Sequence, residues 1–171
     1  QALSSVSADD IPTQSKIITV YSNKGGIGKT TIAINLALEL AKVAKDKVAL
    51  LDLNLQLGDV STFLNLNPVF DVNYVLNKLV NNENSNLIKA FEKYKDTSLY
   101  ILSDPNYIEQ AESVKPQQIP ALFEALRKEF SYIIVDMSSN IDENSLKILD
   151  CSDWIMFTTI VNIPAIRNAQ R

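Results

Sequence analysis

The chain has no histidine. That excludes imidazole acid–base catalysis, Ser-His-Asp triads and histidine-ligated metals from these residues. Cysteine is nearly as scarce. Cys151 stands alone, so there is no internal disulfide and no thiolate cluster for zinc or iron–sulfur. Such usage fits a reducing compartment, and Cys151 reads as a small core residue at the end of a helix. No apolar run approaches the length of a membrane span, and no basic, apolar, small-residue progression marks a signal peptide. Arginine occurs three times and the formal net charge is −4. Bulk attraction to nucleic acid or an anionic membrane is therefore not expected of this piece. Glycine is rare and clustered. Three of the four glycines, Gly25, Gly26 and Gly28, lie within four residues, and the fourth is Gly58.

What remains is ordinary for a globular protein: 171 residues, 46% apolar and 21% charged, enough for one domain with a sizeable core. The glycine cluster lies in Ser22-Asn23-Lys24-Gly25-Gly26-Ile27-Gly28-Lys29-Thr30-Thr31. An apolar β-branched run, residues 16–21, precedes it, and a helical pattern over about 29–44 follows. Strand, glycine loop and helix form the context of a phosphate-binding loop. Glycines let backbone N–H groups converge on an anion, and the helix start adds its positive end. Lys29 is then placed to reach β- and γ-phosphates, and the Thr30 hydroxyl to ligate Mg²⁺.

The standard pattern wants glycine at position 23, where this chain has Asn23. Lys24-Gly25-Gly26-Ile27-Gly28-Lys29-Thr30 instead resembles the deviant Walker A loop of the MinD/ParA family. The resemblance implies that Lys24 is a signature lysine touching the nucleotide of a partner subunit, hence an ATP-dependent homodimer. It also makes Lys24, Gly25, Gly26, Ile27, Gly28, Lys29, Thr30 and Thr31 the nucleotide-binding set.

Residues 1–15 read as a Ser- and Asp-containing linker. The start at Gln1 leads us to expect an excised fragment with another domain upstream. In helix 29–44, Ile32, Leu36, Leu40 and Val43 are the expected buried face. Residues 48–51 form a short apolar run between helices, as in a parallel strand covered on both faces. Polar residues leaving its carboxyl end lie where doubly wound folds bind ligands. That segment, Asp52-Leu53-Asn54-Leu55-Gln56-Leu57-Gly58-Asp59, is similar to the TadZ/CpaE branch of the family, ATPases of Flp/Tad pilus assembly. The resemblance assigns Asp52 to the Mg²⁺ shell. It puts Asn54 where the family has the Asp that orients the attacking water. An amide accepts no proton and carries no charge, so slow hydrolysis, or none, is expected.

Two amphipathic helices are expected within 68–97, the second built on Leu87, Ile88, Phe91 and Tyr94. A strand follows at 98–102, then Ser103-Asp104-Pro105, where a turn role is favoured for Asp104. A helix is expected from Lys115-Pro116 to Phe130, with Ile119, Leu122, Phe123 and Leu126 on one face. Tyr132-Ile133-Ile134-Val135-Asp136 has the form of a Walker B strand whose Asp136 serves the Mg²⁺ shell. Nothing is assigned to Ser138-Ser139. Helix 142–150 and strand 153–159 complete the pattern, with Trp154 read as core or interface. The end, Ile163-Pro164-Ala165-Ile166-Arg167-Asn168-Ala169, resembles a TadZ/CpaE helix start, with Arg167 near the nucleotide edge or dimer seam.

The expected fold is a three-layer, doubly wound α/β P-loop domain over 16–171, mainly parallel and incomplete at its carboxyl end. The expected cofactors are ATP and Mg²⁺. Lys24, Lys29 and Asn54 form the catalytic set, and Thr30, Asp52 and Asp136 the metal set. The expected partners are a second copy of the chain and pilus-assembly or polar-localisation proteins. The expected place is the cytoplasm, at a cell pole or the inner-membrane face, with membrane contact only through partners. Three readings stay open beside it: a MinD- or ParA-type positioning ATPase, a non-hydrolysing ATP-binding scaffold, and a relative of the nitrogenase iron protein, which Cys151 alone does not fit.

Overall fold

The computed structural model describes residues 14–44, 46–83 and 86–170. Residues 1–13 of the expected linker lie outside the described residues. Six strands form one sheet: β1 (Lys16–Tyr21), β2 (Val48–Leu53), β3 (Glu92–Lys93), β4 (Leu99–Leu102), β5 (Tyr132–Met137) and β6 (Trp154–Phe157). The helices are α1 (Lys29–Val43), α2 (Val60–Leu64), α3 (Val72–Val80), α4 (Ile108–Ser113), α5 (Gln118–Leu126), α6 (Glu143–Cys151) and α7 (Ile163–Ala169). The strand order is β3-β4-β2-β5-β1-β6. All pairings are parallel except β3–β4.

Alternating strand residues divide between two cores, which makes three layers. Ile17, Leu51, Leu102, Ile133 and Val135 pack with α3, α5 and Ile148 of α6. Ile18, Val20, Leu50, Ile101 and Ile134 pack on the other face with Ala33, Ile34 and Ala37 of α1. Strand β2 is buried at every position, and β1 and β5 at all but the first. That is why they read as continuous apolar runs rather than alternating ones. Parallel strands on this register bring Asp52 and Asp136 side by side at the carboxyl edge.

Three expectations need correction. The face of α1 turned to the sheet is Ala33, Ile34 and Ala37, and Val43 is exposed. The small alanines let the helix approach the sheet closely, while Ile32, Leu36 and Leu40 flank the contact half-buried. The second helix expected within 68–97 does not form. Residues 87–90 make a single 3₁₀ turn, and Glu92–Lys93 then pair antiparallel with β4. Leu87, Ala90 and Phe91 bury their side chains without needing a helical period. Trp154 is not core: all four residues of the edge strand β6 are exposed. Among the described residues no helix is long and apolar enough to cross a membrane.

Strand β6 is pinned by the residue before it. Asp153 accepts the Ile17 N–H at 2.7 Å and the Arg127 guanidinium at 2.8 Å. Its own N–H donates to Ile17 O at 3.0 Å. Burial pushes its carboxyl up, but the Ile17 N–H and Arg127 outweigh that and hold its pKa below the ordinary value. The folded state therefore binds the Asp153 proton less readily than the unfolded chain. Its contribution is complete above the unfolded value, near 4, and is lost as pH falls through the lower folded value. Asp153→Ala is expected to cost about 2 kcal/mol at neutral pH, the scale of hydrogen bonds to a charged group. Thermal melts of the two proteins should differ at pH 7 and converge as the pH falls through the lowered folded value of Asp153.

Candidate nucleotide site

The glycine loop turns left-handed twice before the helix begins. Gly26 has φ 73° and Gly28 φ 89°, values that side chains rarely adopt. A Cβ built on Gly25, Gly26 or Gly28 would meet nothing within 4 Å, so the cradle is open where an anion would enter. Ile32 N–H donates to Gly28 O at 2.9 Å, the first turn of α1. The N–H groups of a helix's first turn have no partner within the helix, which suits such a start to an anion. Ile27 is half-buried and Thr31 exposed.

Lys29 and Thr30 both reach across to β5 and the loop after it. Thr30 Oγ1 donates to Asp136 Oδ2 at 2.6 Å. Lys29 Nζ donates to Ser139 Oγ at 2.6 Å. Asp136 is 1% exposed, and its Oδ1 is buried without a hydrogen-bond partner. Burial pushes its pKa up, while the Thr30 hydroxyl and Lys29 pull it back. Asp52, fully buried on the adjacent strand, accepts the Val60 N–H at 3.0 Å and the Asn54 N–H at 3.1 Å. Its pKa is pushed well up by burial and by the nearby Asp104 and Asp136 carboxylates, against those two N–H groups. Asp104 accepts the Gly58 N–H at 3.2 Å and is itself pushed up by burial.

This corner is short of positive charge. Three carboxyls are raised together, and one oxygen beside the Thr30 hydroxyl lacks a partner. A hard divalent cation bound by one or two carboxylates and by phosphate oxygens fits that donor set. No cluster of three or more His, Cys, Asp or Glu able to hold a metal occurs among the described residues. Mg²⁺ does not require one when phosphates and waters complete its octahedron. Thr30 and Asp136 would hold the ion, with Asp52 behind them; bound there, it would neutralise charge on the transferring phosphoryl group.

Among the described residues no hydrogen bond joins the remaining candidates to Lys29, Thr30 or Asp136, although Asn54 and Asp104 adjoin Asp52. Lys24 is exposed, and its backbone N–H donates to Ser22 Oγ at 3.1 Å. Asn54 donates its side-chain amide to Leu57 O, and Leu57 N–H returns to Asn54 O at 3.2 Å. The amide thus closes its own turn. Asn23, in the position of the missing glycine, has both amide atoms buried without a partner. Asp104 lies in the irregular stretch after β4, and its carboxylate, accepting the Gly58 N–H, ties that stretch to the loop after β2.

Ser139 was not expected at the site. The signal that could have found it is its place, three residues beyond Asp136 at the carboxyl end of a parallel strand. Beside it opens a cleft of about 600 Å³, walled by Leu53–Leu57, α4 and the loop from Ser138 to Asn140.

A glycine cradle on a parallel sheet, with a lysine, a threonine and a facing buried aspartate, defines a P-loop nucleotide-binding domain. The comparisons agree. A family model described as an AAA domain matches residues 15–169, and the chain belongs to that family. The septum site-determining protein MinD of Thermotoga maritima is 31% identical over 155 residues, 91% of this chain and 56% of that protein. The ParA family ATPase of Chlorobium tepidum superposes with a TM-score of 0.82 at 24% identity, over 91% of this chain and 64% of that one. A putative plasmid partition protein of Borrelia burgdorferi, solved bound to AMPPNP, gives 0.70 at 25% identity, over 92% and 66%. The chain spans little more than half the length of the curated relatives it matches.

Proposed function

We propose that this domain binds Mg²⁺ and ATP in the glycine cradle and dimerises around them, serving as a slow switch that positions other cellular machinery. The observation that carries the reading is the pair of contacts from Lys29 to Ser139 and from Thr30 to Asp136 across an open glycine loop. Septum-site and plasmid-partition proteins among the relatives, one of them solved with AMPPNP, support it. Lys29 grips the phosphate tail, Thr30 and Asp136 hold the ion, and Lys24, exposed at the mouth, reaches the nucleotide of a second copy. Phosphoryl transfer depends on positioning and electrostatics. Asn54 supplies neither charge nor a proton acceptor, and its amide is occupied by Leu57 O. Hydrolysis is therefore slow, and an ATP-holding scaffold is the limiting case of the same reading.

The finer assignment is to pilus assembly, in the manner of the TadZ/CpaE branch. The segments at 52–59 and 163–169 support it. Placement follows from it: the cytoplasm, at a cell pole or the inner-membrane face, through partner proteins. A division-site or partition role, as the relatives' names suggest, is the second reading.

Turnover and sedimentation of the full-length protein test the proposal. With Mg²⁺ and ATP, wild type is expected to sediment as a dimer and Lys24→Ala as a monomer. Asn54→Asp is expected to raise turnover about 10²-fold, the low end for a positioned proton acceptor. A dimer that survives Lys24→Ala would remove the partner-reaching role. Calorimetry that detects no uptake of Mg²⁺·ATP by wild type would remove the whole reading.

A further inference from the structure

We propose that Ser139 is a positioning residue for Lys29: its hydroxyl holds the ammonium extended over the glycine loop before nucleotide arrives. The inference rests on the nucleotide reading above and adds a residue to it. The contact is 2.6 Å long and joins residues 110 apart in sequence. An ammonium has three N–H donors. One is given to Ser139, and two stay free for β- and γ-phosphate oxygens.

The hydroxyl can set Lys29 only if its own loop is fixed, and the loop is braced at both ends. Asn140 O accepts the Ser138 hydroxyl at 2.9 Å and the Ser145 hydroxyl at 2.9 Å. Ser145 is 3% exposed, and its N–H donates to Asp142 Oδ1 at 2.7 Å, capping α6. The other end continues directly from β5, buried from Ile133 to Met137. Ser139 thus sits between a core strand and a capped helix, with little freedom to follow a wandering lysine. A free lysine side chain surrenders rotamer entropy when a ligand fixes it. Fixing it in advance spares the ligand part of that cost. Serine is suited to the task because it accepts a hydrogen bond without adding a charge that would repel phosphate.

Titration calorimetry with Mg²⁺ and the non-hydrolysable β,γ-imido analogue of ATP tests this on full-length wild type, Ser139→Ala and Ser139→Thr. Ser139→Ala is expected to bind about five- to tenfold more weakly, and Ser139→Thr to stay within about twofold of wild type, as losing part of the lysine's preorganisation predicts. A structural role would instead lower the melting temperature well beyond the about 2–4 °C that losing the Lys29 contact itself accounts for. In nucleotide-free protein the Lys29 ammonium ¹⁵N–¹H signal should be visible in wild type and Ser139→Thr, and lost to water exchange in Ser139→Ala. Unchanged or tighter binding by Ser139→Ala, or a threonine variant as weak as the alanine one, overturns the inference while leaving the nucleotide reading intact. Failure of wild type itself to bind overturns both.

Discussion

Lys29→Ala is expected to lower the affinity of the full-length protein for Mg²⁺·ATP by about 10²- to 10⁴-fold while leaving the fold in place. Two charge-assisted hydrogen bonds to phosphate oxygens are lost, at about 1.5–3 kcal/mol each, and each 1.4 kcal/mol is tenfold in affinity. The structural cost is small by comparison. The variant gives up one half-buried contact to Ser139, worth about 1 kcal/mol. It gains alanine, the best helix former, at the first position of α1. At this chain length 1 kcal/mol moves the melting temperature by about 2–4 °C. Calorimetry and thermal melts on the same preparation separate the two effects. Affinity within threefold of wild type would mean that the cradle does not grip a triphosphate through Lys29.

The phosphate loop was legible because its chemistry is local. Gly25, Gly26, Gly28, Lys29 and Thr30 are consecutive or nearly so, and the left-handed turns at 26 and 28 are conformations glycine tolerates. Strands β2 and β5 were legible for a related reason. Burial on both faces writes itself into sequence as an unbroken apolar run. The Asp136 position followed, since a carboxylate at the end of such a run has little reason to be there unless it serves a site. The face of α5 was also legible: Ile119, Leu122, Phe123 and Leu126 are buried as their spacing implies.

Elements whose stability comes from packing rather than period were not legible. Leu87, Ile88, Phe91 and Tyr94 mimic a helix because i, i+1, i+4 and i+7 spacing arises by chance in short stretches. A 3₁₀ turn followed by β3, which pairs with β4, buries Leu87 and Phe91 and leaves Ile88 and Tyr94 half-buried. On α1 the larger side chains suggested one face, and the two alanines facing the sheet carried no hydrophobic signal strong enough to contradict it. Helix α4 has six residues and no strong stripe, and it went unforeseen. Ser139 illustrates the limit for sites. Its partner lies 110 residues away, and serine is common in loops, so only the sheet register gives it meaning. The same holds for Gly58. Its position beside Asp59 was readable, but the reason for a glycine there was not.

That reason leads to the second large effect. Gly58→Ala is expected to destabilise the protein by about 2 kcal/mol and to weaken cation binding. An ideal Cβ at this position would lie 2.4 Å from Asp104 Cγ, 2.7 Å from Asp104 Cβ and 2.5 Å from Asp52 Oδ2. Gly58 is not among the residues with positive φ, so backbone strain plays no part. In open space such a change would help: it stabilises by about 0.4–1 kcal/mol through the unfolded chain. Here overpacking at about 1–3 kcal/mol opposes it. Asp52 cannot swing aside without giving up the Val60 and Asn54 N–H groups, which adds to the cost. The clash therefore outweighs the gain. Because the displaced carboxylate stands beside Asp136, the loop from 54 to 59 and the cation's outer shell shift together. Thermal melting should fall by about 4–8 °C, and Mg²⁺ dependence of nucleotide binding should move to higher concentration. Adding Asp104→Gly removes two of the three close contacts and should recover part of the melting temperature, while the contact with Asp52 remains. Recovery of Mg²⁺ affinity should lag behind recovery of stability. If Gly58→Ala melts at or above the wild-type temperature, the Asp52–Gly58–Asp104 packing is not what holds this loop against the sheet.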